Sequence, residues 1–161
     1  MFSRLALAAV LAAAAPSTAL AGPPWISIEL PANPWDRDTR GAFLVVHTFH
    51  HGTVIEAPLI GTAEGIVDGK RRSVSLSFEK TSRPGVYALR NQWGDSGRWV
   101  LLISLRQSPH PNDIAQAVVT VSEAGAVTSV RVPTEAGREG NVPRRATAAE
   151  VTAALAPTAR P

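Results

Sequence analysis

The sequence of 161 residues has no cysteine, one methionine, and aromatic side chains at only 6% of its positions. Without cysteine the protein has no disulfides, no thiolate metal ligands and no lipid anchored on a cysteine. The single methionine is residue 1, so the rest of the sequence has no thioether that could bind Cu(I). Charge is sparse, with 16 basic against 13 acidic side chains. The only basic run, Lys70-Arg71-Arg72, is too short for the several phosphate contacts of a nucleic-acid site, so we expect no nucleic-acid partner.

The one long apolar run lies near the N-terminus. It covers residues 5–15 and is followed by Ala19-Leu20-Ala21, the small residues that signal peptidase requires. The run is shorter than the roughly twenty residues of a membrane span, and no later stretch qualifies. We therefore predict a signal peptide over 1–21, cleavage near Ala21-Gly22, a periplasmic or secreted protein, and no transmembrane segment in the mature chain.

Alternating apolar and polar residues dominate the middle of the chain. Eight segments have the pattern of strands: 25–30, 42–51, 62–67, 73–78, 86–93, 99–105, 115–122 and 126–132. Segment 42–51 is apolar on both faces, as in a central strand that is covered on both sides. Asp68-Gly69 suits a type I′ hairpin turn, and Gly94-Asp95-Ser96-Gly97 is a second predicted hairpin turn. The pattern predicts one all-β domain over 22–133, an antiparallel sandwich or barrel.

The C-terminal segment has a different composition. Residues 134–145 contain scarcely an apolar side chain, too few to offset the entropy of ordering the chain. We predict that 134–161 is a flexible, mostly disordered tail. Thr147 and Glu150 form a capping-box pattern, which allows one short helix over 147–155 when it docks on the domain.

A family resemblance rests on residues 84–101. Pro84-Gly85-Val86-Tyr87, followed after a turn by Gly97-Arg98-Trp99-Val100-Leu101, resembles a pattern of the YtkA-like, FixH-like and CopC-like domains of bacterial exported proteins. The resemblance implies an immunoglobulin-like β-sandwich of about eight strands, with Tyr87 buried and its hydroxyl bonded to backbone. Because CopC-like proteins bind copper, it also directs attention to the histidines.

A copper or zinc site is the first candidate function. His47, His50 and His51, with His110 as a fourth ligand, supply the imidazoles that both metals accept. On a straight strand His47 and His51 share a face about 13 Å apart, whereas His50 points to the other face. A turn at His51-Gly52 is needed to bring two of them together. The alternative is that His47 lies at the edge of the core and the others are solvated.

Two further constellations suggest chemistry. Gly94-Asp95-Ser96-Gly97 matches the motif of chymotrypsin-like serine hydrolases, and His47, Asp68 and Ser96 follow that family's order. That fold needs two barrels and about twice this length, so we expect no enzyme. Asp36 and Asp38 resemble the closely spaced carboxylates of calcium loops, but calcium requires six or more oxygen ligands, so we expect a solvated turn.

Partner binding is the function that we predict from the sequence. Lys70, Arg71 and Arg72 form a candidate docking patch for an acidic partner, although they also discourage pairing at a sheet edge. Trp35 is a candidate binding aromatic, with packing over one end of the sandwich as its alternative use. We expect a non-enzymatic exported module that needs no cofactor and binds an exported or envelope protein. A periplasmic copper- or zinc-binding domain is the alternative.

Overall fold

The computed structural model describes residues 24–107, 114–137 and 140–156. The predicted signal peptide, its cleavage site and His110 lie outside the described residues. The described part contains twelve strands and one helix: β1 (Pro24–Glu29), β2 (Leu44–His50), β3 (Thr53–Val54), β4 (Leu59–Val67), β5 (Lys70–Leu76), β6 (Glu79–Lys80), β7 (Val86–Leu89), β8 (Arg98–Arg106), β9 (Ile114–Val121), β10 (Val127–Arg131), β11 (Thr134–Gly137), β12 (Gly140–Pro143) and α1 (Ala148–Leu155).

Two antiparallel sheets make up the fold. Sheet I has the order β1-β2-β7-β6, and β3 also pairs with β2. Sheet II has the order β10-β9-β8-β4-β5. Strands β11 and β12 form a separate hairpin. The predicted all-β class with antiparallel pairing is therefore confirmed. Within the described residues, no helix is long and apolar enough to cross a membrane.

The core lies between the two sheets. Leu44, Val46 and Tyr87 of sheet I share one buried cluster with Leu101 and Val119 of sheet II. Because side chains alternate along a strand, each sheet turns one face inward and the other outward. Burial of the two inner faces against each other gives the sandwich, and the hydrophobic effect is its main driving force.

The alternating segments and the first turn are where the sequence places them. Each of the eight predicted segments contains a strand, with ends that differ by a few residues. Asp68 and Gly69 have φ angles of 50° and 72°, as the type I′ turn between β4 and β5 requires. In β2, Val46 faces the core while Val45, on the opposite face, is also fully buried. This confirms that the strand is covered on both sides.

The predicted hairpin at 94–97 is wrong. Leu89, at the end of β7, pairs with β2 in sheet I, whereas Arg98 begins a strand of sheet II. The segment therefore crosses from one sheet to the other. Strand β7 ends early because the Asn91 side chain accepts hydrogen bonds from the backbone N–H groups of Trp93 and Gly94, at 3.2 and 3.1 Å. Trp93 then contacts the Phe43 ring in a T-shaped arrangement, with centroids 4.9 Å apart, and is buried with the core.

The segment after residue 133 is also more ordered than predicted. It holds the β11–β12 hairpin and α1, whose N-cap is Thr147 in a complete capping box with Glu150. Val151 and Leu155 are buried in a cluster on the outer face of sheet II. That face is apolar where α1 lies on it, so the helix removes apolar surface of both elements from water. This burial offsets the entropy of ordering the segment, which the few apolar residues of 134–145 are too few to offset on their own.

Candidate binding surface

The loop over residues 31–43 presents a tryptophan. Asn33 to Asp36 form a turn in which the Asp36 N–H donates to the Asn33 carbonyl at 3.2 Å, so Pro34 and Trp35 occupy the central positions. The Asn33 side chain also accepts from the Trp35 N–H at 3.0 Å. Proline favours the first central position, and asparagine side chains stabilise such turns. The Trp35 side chain is 89% exposed, which contradicts the alternative that it packs over one end of the sandwich.

Two aspartates anchor this loop to the turn between β6 and β7. Asp36 pairs with the Arg83 guanidinium at 2.6 Å, and Asp38 accepts from the Ser82 N–H at 2.8 Å. Hydrogen bonds from the side chain and backbone of Ser82 lower the pKa of Asp38. The carboxylates are therefore partners of protein groups. The described residues contain no group of three or more His, Cys, Asp or Glu side chains that could hold a metal ion.

Glu29 ties the same loop to the outer face of sheet I. One carboxylate oxygen accepts from the Asn33 N–H at 3.3 Å, and the other lies 2.9 Å from Nε2 of His47. His47 is thus on the face turned away from Val46 and the core. Through its contact with Glu29, His47 helps to hold the loop in place.

An apolar row lies on the outer face of sheet I. Trp25, Phe49 and Val54 stand directly opposite one another across β1, β2 and β3, and directly opposed residues share a face. Trp25 and Val54 are among the large apolar side chains that remain exposed. The rings of His47 and Phe49 are nearly parallel, with centroids 6.4 Å apart. The hydrogen bonds of Glu29 therefore connect this row, through His47, with the turn that carries Trp35.

The three described histidines of the predicted metal site lie in two separate places. His51 has a φ of 51° at the turn after β2, and its ring contacts that of His50 with centroids 4.4 Å apart. The turn expected at His51-Gly52 therefore exists and brings two histidines together. His47 lies on the opposite face of β2 from His50. Metal binding by His50 and His51, with His110 outside the described residues, stays a prediction.

The three residues of the hydrolase motif do not converge. Asp68 and Ser96 line the same cleft of about 460 Å³, together with Arg98 and Glu123. His47 is bound to Glu29 on the outer face of the other sheet. A serine nucleophile needs its base within hydrogen-bond reach, and His47 does not line that cleft.

The basic run lies on a sheet edge. Lys70, Arg71 and Arg72 begin β5, the last strand of sheet II, and all are exposed. Arg71 lies 3.8 Å from the Glu64 carboxylate. The cations and Trp35 could thus be predicted from the sequence, whereas Glu29, Asp38 and Arg83 could not be predicted as the groups that hold the loop of residues 31–43, called the Trp35 loop below. The Asn33-Pro34 pair signals the turn, whereas no local pattern signals a partner as distant in sequence as Arg83.

Comparison of the chain with protein-family models, with curated proteins and with solved structures gives no match. The proposals below therefore depend on the geometry of the chain itself.

Proposed function

We propose that this chain is a non-enzymatic binding module whose Trp35 loop docks into an apolar pocket of an exported or envelope protein. The observation that carries the proposal is the exposure of Trp35, 89% on a loop held by several hydrogen bonds. A large apolar side chain adds nothing to the core from such a position. Tryptophan is enriched among the residues that dominate the energy of protein interfaces.

The hydrogen bonds and the ion pair that hold the loop support the same proposal. Docking a flexible loop costs the entropy of ordering it, and that cost reduces affinity. Here Glu29, Asp36 and Asp38 fix the loop before any partner arrives. The row formed by exposed Trp25 and Val54 with half-buried Phe49 offers further apolar area on the same sheet. A pre-ordered loop with an exposed tryptophan, on a sheet that also carries an apolar row, is typical of a surface that binds protein.

The strand order supports an immunoglobulin-like arrangement of the sandwich. In that fold, strands A-B-E-D form one sheet and C-F-G form the other, with C′ added beside C in variable-type domains. Assigning β1, β2, β6 and β7 as A, B, D and E reproduces the first sheet, and β4, β5, β8 and β9 then match C, C′, F and G. Strand β10 is an addition beyond G. Tyr87 is buried and its hydroxyl donates to the Ala57 carbonyl at 2.9 Å, as the resemblance implies.

Export is supported by the signal-peptide pattern of the sequence over 1–21. We therefore place the partner outside the cytoplasm. His47 lies on sheet I, away from the cleft that Ser96 lines, so it is not positioned to act as a base for that serine. This arrangement supports binding over hydrolysis as the function of the protein.

Site-specific photocrosslinking tests the proposal. A photoreactive phenylalanine analogue replaces Trp35 in the full chain, expressed in the cells that make the protein, and irradiation is followed by mass spectrometry of the adducts. We expect one discrete adduct with an exported or envelope protein. The matched control places the same analogue at Thr128, an exposed residue of β10. No adduct at position 35, or equal adducts at both positions, would contradict the proposal.

Binding of Cu(II) or Zn(II) is the second candidate function, and the contact between the His50 and His51 rings favours it. Two adjacent imidazoles supply part of the coordination that either metal requires. Calorimetric titration of the chain from residue 22 with each metal tests this candidate, with His50→Ala and His51→Ala as variants and His47→Ala as the matched control. Binding that is lost in both variants but kept in His47→Ala supports it; binding that is absent or unchanged in all variants rejects it.

A further inference from the structure

Strand β5 has one free edge. Among the described strands it pairs with β4 alone, so it ends sheet II on that side. Val67 and Lys70 close the two-residue turn and therefore form a hydrogen-bonded pair of the ladder. Because such pairs alternate along antiparallel strands, Arg71, Ser73 and Ser75 direct their backbone N–H and C=O groups away from β4. These groups can pair with a further strand.

The charges along this edge are of one sign. Lys70, Arg71 and Arg72 are exposed, and Arg71 has the Glu64 carboxylate at 3.8 Å. Within the part of the chain that the structure describes, Lys70 and Arg72 have no ion-pair partner. Parallel in-register pairing of two copies of β5, or antiparallel pairing centred on Arg71, would bring cations close to cations, and like charges on paired strands destabilise a sheet. The edge thus opposes self-association and favours an acidic strand.

A cleft with a mixed polar and apolar lining lies at the other end of the same strand. It has a volume of about 400 Å³, and its apolar lining includes Leu59, Leu76, Phe78 and Tyr87. A long ion pair between Glu56 and Lys80, at 3.9 Å, lies at the cleft. A cleft of this size and lining suits one apolar side chain of a docked peptide.

The free edge of β5 and the cleft beside Leu76 together indicate which kind of ligand fits this surface. Arg72 and Leu76 lie four residues apart on β5, on the same face and about 13 Å from each other along the strand. We propose that β5 binds an extended segment of a partner protein by strand addition, and that this segment carries a carboxylate and an apolar side chain four positions apart. The carboxylate lies beside Arg72, and the apolar side chain enters the cleft beside Leu76. This surface is distinct from the Trp35 loop.

Binding of a synthetic peptide tests the proposal. The peptide has about nine residues of alternating valine and threonine, the length of a strand that covers β5, with aspartate and leucine four positions apart. A control peptide carries lysine in place of the aspartate. Fluorescence anisotropy measures the binding of each to the chain from residue 22. We expect the aspartate peptide to bind more tightly than the lysine peptide, and its affinity to fall as salt is raised.

Variants separate strand addition from charge attraction. Ser75→Pro removes an N–H that faces away from β4, so the fold tolerates it while the edge can no longer pair there. We expect this variant to abolish binding. Lys70→Glu with Arg72→Glu should weaken binding by about three- to tenfold. The matched control, Arg106→Glu with Arg145→Glu, changes net charge equally at exposed positions elsewhere and should leave binding unchanged.

Each other outcome overturns the proposal. Absence of binding does so directly, and binding that survives Ser75→Pro shows attraction without strand pairing. A dimer of the chain that Ser75→Pro dissolves identifies a second copy as the occupant. Trp35→Ala should leave peptide binding unchanged, so this test and the crosslinking test of the Trp35 loop can fail separately.

Discussion

The outer faces of the two sheets carry different covers, which are α1 on part of sheet II and the loop of residues 31–43 at one end of sheet I. Over sheet II, α1 buries Val151 and Leu155 against Val100 and Val118, which is ordinary hydrophobic packing. Over sheet I, the loop of residues 31–43 is held by hydrogen bonds and ion pairs, and its largest side chain, Trp35, points to solvent. One cover thus stabilises the fold through its apolar side chains, whereas the other keeps its main apolar side chain available for a partner.

The largest effect should come from the apolar cover. Leu155 is only 4% exposed, so Leu155→Ala removes buried methyl groups and leaves a gap under α1. We expect it to lower the free energy of unfolding by about 2–3 kcal/mol, measured by urea titration. Thr152→Ala, on the exposed side of the same helix, is the control and should change it by less than about 0.5 kcal/mol. Equal effects would show that α1 does not stabilise the domain.

The N-cap of α1 should matter less than its buried face. Thr147 accepts a hydrogen bond from the Glu150 N–H at 3.2 Å, which satisfies one of the free donors of the first turn. We expect Thr147→Ala to destabilise the protein by about 1 kcal/mol. Thr147→Ser keeps the hydroxyl and should restore most of that loss. Failure of serine to do so would mean that Thr147 acts through its methyl group instead.

The charge at this cap predicts a pH dependence. The Arg144 guanidinium bonds both carboxylate oxygens of Glu150 at 2.8 Å, Arg131 lies 3.6 Å away, and the pKa of Glu150 falls well below its ordinary value of 4.5. A carboxyl group with a pKa lowered by folding stabilises the protein above its unfolded-state pKa and loses that contribution as the pH falls.

Glu150→Gln tests that dependence. The variant should be less stable than the original chain at neutral pH, and the gap in Tm should narrow as the pH falls from about 5 toward 3. Asp38 also has a lowered pKa, but it remains in both proteins and does not affect the difference between them. A gap that stays constant across this range would show that the charge of Glu150 contributes nothing.

The strands could be predicted because their signal is local. Alternation within 73–78 places Val74 and Leu76 toward the core, and the Asp68-Gly69 turn fixes the pairing of β4 with β5. The order of residues 134–156 could not be predicted from their own composition. Their partner surface is the outer face of β8, where the continuous apolar run 99–103 indicates cover on both sides. That run was the available signal that another element packs there.

Some residues of the candidate site could likewise be predicted from the sequence, and others could not. Trp35 and the basic run stand out because a tryptophan in a loop segment and clustered cations are visible in the sequence itself, whereas the exposure of Trp35 is seen only in the structure. Arg83 does not, because it meets Asp36 across 47 positions of the chain. The pairing of His47 with Glu29 depends on the register of β1 with β2, and no turn signal sets that register because the loop between them is long.

The smallest effect on stability should come from Trp35→Ala, although it removes a larger side chain than Leu155→Ala does. An 89% exposed ring contributes little packing, so we expect a change of less than about 0.5 kcal/mol in the same urea titration. Arg83→Ala loosens the loop without touching the ring, and should weaken docking of the partner found by crosslinking because the loop must then be ordered on binding. If Trp35→Ala instead destabilises the fold as much as Leu155→Ala, Trp35 packs on the domain and both outer covers serve stability alone.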